Sequence, residues 1–289
     1  MKKLTLLILL MACLSTWAQK RNTPTKYKNA RMANAEFLEK QWWLGLKTGT
    51  TLAGAVAEKA YSGLSPVNYD VPSKVYDNYS EAGFTASLEA AFSFLQFTIV
   101  LQPGYRSARY SYTTDYLWTD YSNPDNRLEL TYLQRQRVEY ADFPLLLRYD
   151  FTTTRLRPYI QAGAYYTLLI QATKSLQSSG TDYASGGVNQ FSNPAVSVGA
   201  TDLFAPRHWG LLGGLGVNYQ AGNVRFTLDI QYRKGMSLAN STENRFANTR
   251  LSSFGDAMDD IKINSALITL GALFPMKFLS KSFQSMNTR

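Results

Sequence analysis

The sequence predicts an all-β fold, an antiparallel up-and-down transmembrane β-barrel of about eight strands with short periplasmic turns and long extracellular loops. Three observations predict it. The chain of 289 residues opens with an export leader, its later segments alternate apolar and polar residues with a period of two, and long and short connections between these segments alternate along the chain. A chain of this length is sufficient for one large β domain.

Residues 1–18 have the pattern of a secretory signal peptide. Two lysines precede an apolar run of about nine residues, which is too short to cross a bilayer, and small residues end at Ala18. An alternative is that the tetrapeptide Leu-Met-Ala-Cys at 10–13 is a lipobox, with Cys13 acylated. Cys13 is the one cysteine in the sequence, so the chain after the leader has neither a disulfide nor a cysteine-based metal site.

The sequence divides into four regions. They are a signal peptide at 1–18, an N-terminal periplasmic segment at 19–41, an outer-membrane β-barrel at 42–275 and a C-terminal tail at 276–289. The periplasmic segment is polar and basic, and its residues 33–40 favour a helix by propensity. No apolar run of about 18 residues follows the leader, so no transmembrane helix is predicted.

Eight strands account for the barrel region. They span residues 42–56, 82–94, 96–112, 127–149, 157–176, 208–219, 224–236 and 261–274. Strand five places alternate residues on one apolar face: Ile160, Ala162, Ala164, Tyr166, Leu168 and Ile170. Strand six contains Gly213, Gly214 and Gly216, which suggest strong coiling or close packing.

Strand seven shows the clearest alternation. Its apolar face carries Val224, Phe226, Leu228, Ile230 and Tyr232, and the opposite face carries Arg225, Thr227, Asp229, Gln231 and Arg233. A soluble barrel would turn the apolar face inward, whereas a membrane barrel turns it toward lipid. Export and the arrangement of the loops favour the membrane barrel.

Strand four is about twice as long as a membrane strand needs to be. The sheet therefore either projects beyond the membrane or bends at residues 142–144. Pro144 lacks a ladder donor, so we expect a β-bulge or a rim position there.

The connections are sorted by length. Long loops follow strands one, three, five and seven, at residues 58–79, 113–126, 177–206 and 237–260, and short turns follow strands two, four and six. In an up-and-down barrel this sorting places every long loop at one end, as in outer-membrane barrels. A soluble sandwich has no reason to sort its loops in this way.

The predicted interior is charged, and the predicted membrane interfaces are aromatic. Candidate lumen charges are Lys47, Glu89, Arg137, Glu139, Arg148, Arg225, Asp229 and Arg233. Both signs occur, and eight strands leave room only for side chains, so a neutralised structural plug is favoured over a conducting path. Candidate girdle residues are Trp42, Tyr149, Tyr159, Tyr219 and Phe274.

The charge balance indicates the neighbours of the protein. The formal net charge is +9, and the two lysines of the leader leave +7. Because an exported chain does not meet nucleic acid, we expect membrane lipid and lipopolysaccharide phosphates as partners, together with outer-membrane proteins. No cofactor is expected.

Two segments resemble a known family. Residues 138–149 read VEYADFPLLLRY, and residues 157–163 read RPYIQAG. This pair resembles the PorT-like outer-membrane β-barrel family, and the resemblance is best over roughly residues 82 to 235. It implies an outer-membrane barrel of a family whose members mostly have no assigned function, with one branch tied to type IX secretion.

Residues for catalysis or metal binding are sparse. The one histidine, His208, is expected as a solvated or girdle residue at the outer rim, although a rim set with Ser197 and Asp202 would be conceivable for a hydrolase. Two groups of loop acids are interpreted as solvated: Asp115, Asp120 and Asp125, and Asp256, Asp259 and Asp260. The sequence therefore predicts no enzyme.

The favoured hypothesis is an integral outer-membrane β-barrel with a structural or interaction role. Three alternatives remain open at this point. They are a component of a secretion or surface-assembly complex of the type IX kind, a rim enzyme that uses His208, and a soluble periplasmic barrel that binds a small ligand.

Overall fold

The computed structural model describes residues 40–61, 74–184, 187–245 and 257–276. The predicted signal peptide, the alternative lipidation of Cys13 and almost all of the predicted segments at 33–40 and 276–289 lie outside the described residues. Among the described residues, no helix is long and apolar enough to span a membrane.

The described strands join in one antiparallel sheet. They are β1 (Lys40–Lys59), β2 (Lys74–Asp77), β3 (Ala82–Phe94), β4 (Phe97–Leu101), β5 (Gly104–Thr119), β6 (Arg127–Asp150), β7 (Leu156–Asp182), β8 (Asn189–Ser192), β9 (Val196–Gly199), β10 (Arg207–Ala221), β11 (Val224–Gly235) and β12 (Asp260–Pro275). A short 3₁₀ turn, Thr201–Leu203, lies between β9 and β10.

The barrel wall has eight positions around its circumference, each of which we call a stave. Seven staves are single strands, β1, β3, β6, β7, β10, β11 and β12, and the third stave consists of β4 and β5 in succession. Each stave pairs with the next one along the chain, and β12 pairs with β1 from Pro275 opposite Trp43 to Asp260 opposite Lys59. The sheet therefore closes on itself, which confirms the predicted up-and-down barrel of eight strands. Closure leaves no unpaired edge in the wall, as a lipid environment requires.

The loops are sorted by length as predicted. Short turns join β3 to β4, β6 to β7 and β10 to β11, and the four other connections leave the opposite end. Two loop boundaries were wrong: β5 continues to Thr119 and β7 to Asp182, so the second long loop is only residues 120–126, and the third contains the short strands β8 and β9. The β5 extension is paired with β6 throughout, from Thr113 opposite Leu133 to Thr119 opposite Arg127.

The two faces of the wall are inverted relative to a soluble protein. On β11, Phe226, Leu228 and Ile230 are 50%, 46% and 50% exposed, whereas Arg225 and Asp229 are 1% and 0% exposed. Apolar side chains therefore face outward, and charged side chains face the lumen, as in a membrane barrel.

Four of the five predicted girdle residues lie on the outer face. Trp42, Tyr219 and Phe274 are exposed, and Tyr149 is half-buried on that face. The prediction for Tyr159 was wrong, because Tyr159 alternates with the outward Ile160 and is buried in the lumen.

Pro144 causes neither a bulge nor a rim position. It lies in mid-strand on β6, opposite Tyr165 of β7, and its carbonyl accepts a hydrogen bond from the Gln102 N–H. In an antiparallel ladder the N–H of Pro144 would have donated back to Gln102, but proline has no N–H. Pro103 likewise accepts from the Leu88 N–H of β3 and cannot donate in return. Two ladder bonds are therefore lost at one place, and this interruption divides the third stave into β4 and β5.

Two staves are much taller than a membrane. β6 has 24 residues and β7 has 27 residues. A membrane span of about eleven residues that starts at Tyr149 ends at Glu139. Residues 127–138 therefore rise above it by about 30 Å at ordinary strand rise and tilt. The sheet projects, as one of the two expectations for strand four stated. We call this projection, with the facing parts of β5 and β7 and with β8 and β9, the crest.

A one-residue bulge separates the wall from the crest on β7. Glu139 of β6 pairs with Gln171 and Tyr140 pairs with Leu169, so Ile170 is the extra residue. Below it the odd-numbered residues of β7 face inward, and above it the even-numbered residues do so, beginning with Ala172. The apolar face predicted for strand five holds only as far as this bulge.

The turn between β10 and β11 gives a test of the barrel's hairpins. Gly222 has φ +60°, a region that costs other residues about 1–2 kcal/mol. We expect Gly222→Ala to lower the free energy of unfolding by about 1–2 kcal/mol, measured by urea titration of the heat-modifiable folded form. Asn223→Ala is the control, because Asn223 has no positive φ. Equal losses for the two variants would contradict this account of the turn.

Candidate functional site: the filled lumen and the crest

Four charged side chains from four different staves meet in the middle of the lumen. Lys47 of β1 contacts both Glu89 of β3, at 2.7 Å, and Asp229 of β11. Arg148 of β6 contacts Glu89 at 3.2 Å. Each side chain is essentially inaccessible to solvent. We call these four residues the central charge network; its two cations and two anions balance.

Neutral polar groups complete the coordination of the two carboxylates. Asp229 accepts hydrogen bonds from the Tyr159 hydroxyl, from Gln161 Nε2 at 3.2 Å and from Thr269 Oγ1 at 3.3 Å. Glu89 accepts one from Gln102 Nε2 at 2.8 Å. Buried charges are tolerated when they are both paired and hydrogen-bonded, and this network meets both conditions.

A second network lies nearer the outer end. Asp142 of β6 contacts Arg106 of β5 at 2.6 Å and Arg233 of β11 at 2.5 Å. The two guanidinium groups also lie over the rings of Tyr140 and Tyr165, at 4.8 and 5.5 Å. Sequence reasoning missed Arg106 and Asp142. Asp142 lies an even number of residues before Arg148 on one continuous strand, so the two side chains face the same side. This alternation could have identified Asp142 as a lumen residue from the sequence.

Two predicted lumen charges lie elsewhere. Arg137 and Glu139 are on the outward face of β6, because they alternate with the inward residues Val138 and Tyr140. They contact each other at 2.6 Å, and the side chain of Arg137 is 50% exposed. The other six predicted lumen charges are buried inside the barrel.

His208 is neither solvated nor part of a rim site. It is 3% exposed and faces the lumen, where its ring lies edge-on to Tyr140 at a centroid distance of 4.8 Å. Ser197 and Asp202 are exposed, so the conceivable hydrolase set is not assembled. His208 alternates with the outward Trp209, which explains its position.

Apolar and aromatic side chains fill the lumen above the two networks. This apolar plug consists of Ala53, Ala55, Ala108, Tyr110, Tyr112, Val138, Tyr140, Ala172, Ala200, Leu203, Phe204, Ala239, Met258, Ile261 and Ile263. The hydroxyls of Tyr110 and Tyr112 donate to Gln136 and Gln134 at 2.5 and 2.6 Å. Below the plug, a cavity beside Lys47 has a volume of about 10 Å³, enough for one water molecule.

Ion pairs hold the long connections over the plug. Lys74 of β2 contacts Asp259 at 2.7 Å, and Arg245 contacts Asp260 at 2.7 Å. Burial alone would raise the pKa of Asp260, but hydrogen bonds from Asn240 and Arg245 outweigh this effect and lower it. Within the described ranges, no group of His, Cys, Asp or Glu residues is arranged to hold a metal ion.

The inner face of the crest carries a partly exposed aromatic patch. Its members are Tyr116, Trp118, Leu128, Leu130, Tyr132 and Phe191. The rings of Tyr116 and Tyr132 contact edge-on at 5.2 Å. A side chain at Gly180 would collide with Phe191, so glycine there lets that ring lie against the sheet. The patch lies in the crest and is only partly buried.

The central charge network yields a test of stability. We expect Asp229→Asn to lower the free energy of unfolding by about 3 kcal/mol, because Lys47 loses one of its two carboxylates in a buried site. The matched control is Glu129→Gln, which breaks an exposed pair with Arg127 and should change stability by less than about 0.5 kcal/mol. Urea titration of both variants measures the difference, and an equally small effect of Asp229→Asn would show that the network contributes little.

Comparisons with known proteins agree with this architecture. The family model of the outer membrane protein beta-barrel domain matches residues 17–243. Among solved structures, the chain is similar to OprG from Pseudomonas aeruginosa, with 14% identity and a TM-score of 0.37, covering 82% of this chain and 96% of that one. It is also similar to the neisserial surface protein NspA, with 14% identity and a TM-score of 0.32, covering 80% and 96%.

A third similar structure is Ail of Yersinia pestis, with 9% identity and a TM-score of 0.28, covering 81% of this chain and 99% of that one. No curated protein matches the sequence. The structural similarities are too weak to carry an argument, so the assignment rests on the family model. That model covers well over half of the sequence, and the chain therefore belongs to the outer membrane protein β-barrel family, with its barrel in the outer membrane of a Gram-negative-type cell envelope.

Proposed function

We propose that this protein is a sealed, non-enzymatic barrel that presents its crest as an interaction surface outside the outer membrane. The observation that carries the proposal is the contrast between a filled lumen and a crest about 30 Å tall. A barrel that transports solutes needs an open lumen, whereas a docking protein needs accessible surface.

The filling of the lumen supports the non-conducting role. Ions crossing the barrel would have to displace both the central charge network and the apolar plug above it. Separating the buried pairs would cost several kcal/mol for each uncompensated charge. The packing of His208 between aromatic rings, away from Ser197 and Asp202, supports the absence of rim catalysis.

A second candidate role is a component of a secretion or surface-assembly complex of the type IX kind. The PorT-like motifs at 138–149 and 157–163 favour it, and so does the height of β5, β6 and β7, which would let partners dock on both faces of one sheet. The soluble ligand-binding alternative does not survive, because the apolar face of the wall is turned outward.

Conductance measurements test the sealed lumen. We expect the purified barrel to insert into planar bilayers without steady single-channel currents, because the central charge network and the apolar plug occupy the described lumen. The triple variant Lys47→Ala/Glu89→Ala/Arg148→Ala removes three long side chains and should increase leakage if it folds. Steady single-channel currents through the wild-type protein at ordinary voltages would contradict a sealed lumen.

Shortening the crest tests the docking role. Asp115 and Thr131 are directly paired, so residues 116–130 can be replaced by Asn-Gly to make a two-residue hairpin. We expect this variant to reach the membrane and show normal heat-modifiable mobility, but to lose the outer-membrane proteins that co-purify with the cross-linked wild type. An identical set of co-purifying proteins would show that the crest tip is not the docking surface.

A further inference from the structure

Three arginines lie together on the outward face of the sheet at the level where the membrane ends. Arg109 of β5 and Arg137 of β6 are directly opposite each other, and Arg135 is the next outward residue on β6. At the periplasmic end of β6, Tyr149 pairs with Phe97 of β4, which belongs to the same stave as β5. A span of about eleven residues from that pair ends one outward position below the arginines.

The charges in this cluster are not balanced. Like charges directly opposite on neighbouring strands are unfavourable, and Arg109 and Arg137 form such a pair. Glu139 contacts Arg137 at 2.6 Å, and Glu81 contacts Arg135 at 3.1 Å. Arg109 Nε is enclosed, and it has no hydrogen-bond partner among the described residues.

Neutral polar groups border the arginines on the β7 side. Gln171 and Thr173 are exposed and lie opposite Glu139 and Arg137. Immediately below Arg137 on the same face lies Glu139, which is held by Arg137 and by Gln171 Nε2 at 2.9 Å, and the apolar belt begins beside it with the exposed Ile170 on β7. An anion bound between Arg109 and Arg137 would therefore lie between the guanidinium groups, on the side away from Glu139, with acyl chains below.

We propose that Arg109, Arg135 and Arg137 form a binding site for the phosphate of an outer-leaflet glycolipid, the headgroup chemistry of lipopolysaccharide. Guanidinium groups bind phosphate through two parallel hydrogen bonds, and a phosphate between Arg109 and Arg137 removes their mutual repulsion. The lipid is the favoured source of the phosphate, because the site adjoins the apolar belt on its outward face. This site does not depend on the docking role of the crest tip.

Binding of defined lipids to the purified full-length barrel tests the site. The probes are bisphosphorylated lipid A, the same lipid without phosphates, and inorganic phosphate, with affinities measured by native mass spectrometry and by displacement of a fluorescent lipid A. We expect the phosphorylated lipid to bind about tenfold or more tightly than the dephosphorylated one, as the loss of charge-assisted hydrogen bonds implies.

Matched variants separate the site from the overall charge. Arg109→Gln/Arg137→Gln should weaken lipid A binding about tenfold or more, whereas Arg127→Gln/Arg155→Gln removes the same charge from the crest tip and a periplasmic turn and should leave binding within about twofold. Heat-modifiable mobility verifies that both variants are folded.

Three results would overturn the proposal. They are equal affinity for the two lipids, unchanged affinity in Arg109→Gln/Arg137→Gln, and inorganic phosphate that binds as tightly as lipid A, which would exclude the lipid as the source. Loss of lipid binding with unchanged conductance and co-purifying partners would support the site while leaving the proposed function unaffected.

Discussion

Closure of the β-ladder is the constraint on which the rest of this structure depends. Inside a bilayer no water is available to satisfy backbone N–H and C=O groups, so every stave must be paired on both sides. The seam between β12 and β1 completes the ring. Closure also fixes the two faces: since the outer face meets lipid, the polar half of each alternating strand is forced into a lumen only wide enough for side chains.

That enclosure explains why the charges of the central charge network are paired across the barrel. Lys47, Glu89, Arg148 and Asp229 come from four staves, so their contacts tie separate parts of the wall together. A single unpaired charge in this position would cost more than a polar interior contributes to stability. Neutralisation of the charges and filling of the lumen therefore follow from the same packing, and this packing is the basis of the proposed sealed role.

The sequence was sufficient for the architecture because period-two alternation and turn residues are local signals. The bounds of β3 and the faces of β11 follow directly from them. The misplaced lumen and girdle residues are errors of parity, the rule that successive residues of a strand face opposite sides. Tyr159 could not lie on the outer face together with its neighbour Ile160. Arg137 could not lie in the lumen together with Arg148, because the two are an odd number of residues apart on one continuous strand. Both misplacements were therefore avoidable from the sequence. The bulge at Ile170 and the choice of ion-pair partners depend on register between strands, which a single sequence does not encode locally.

A filled lumen shifts the question of function to the outer surface. The membrane needs only about eleven residues of each stave, yet β6 and β7 are more than twice that long. Extending paired strands into water costs conformational entropy, and the crest buries part of its surface in the apolar plug and leaves an aromatic patch accessible. The arginines stand at the boundary between these two regions, where the wall stops meeting acyl chains. The proposed headgroup site and the proposed docking surface thus follow the lipid-facing wall along the same two strands.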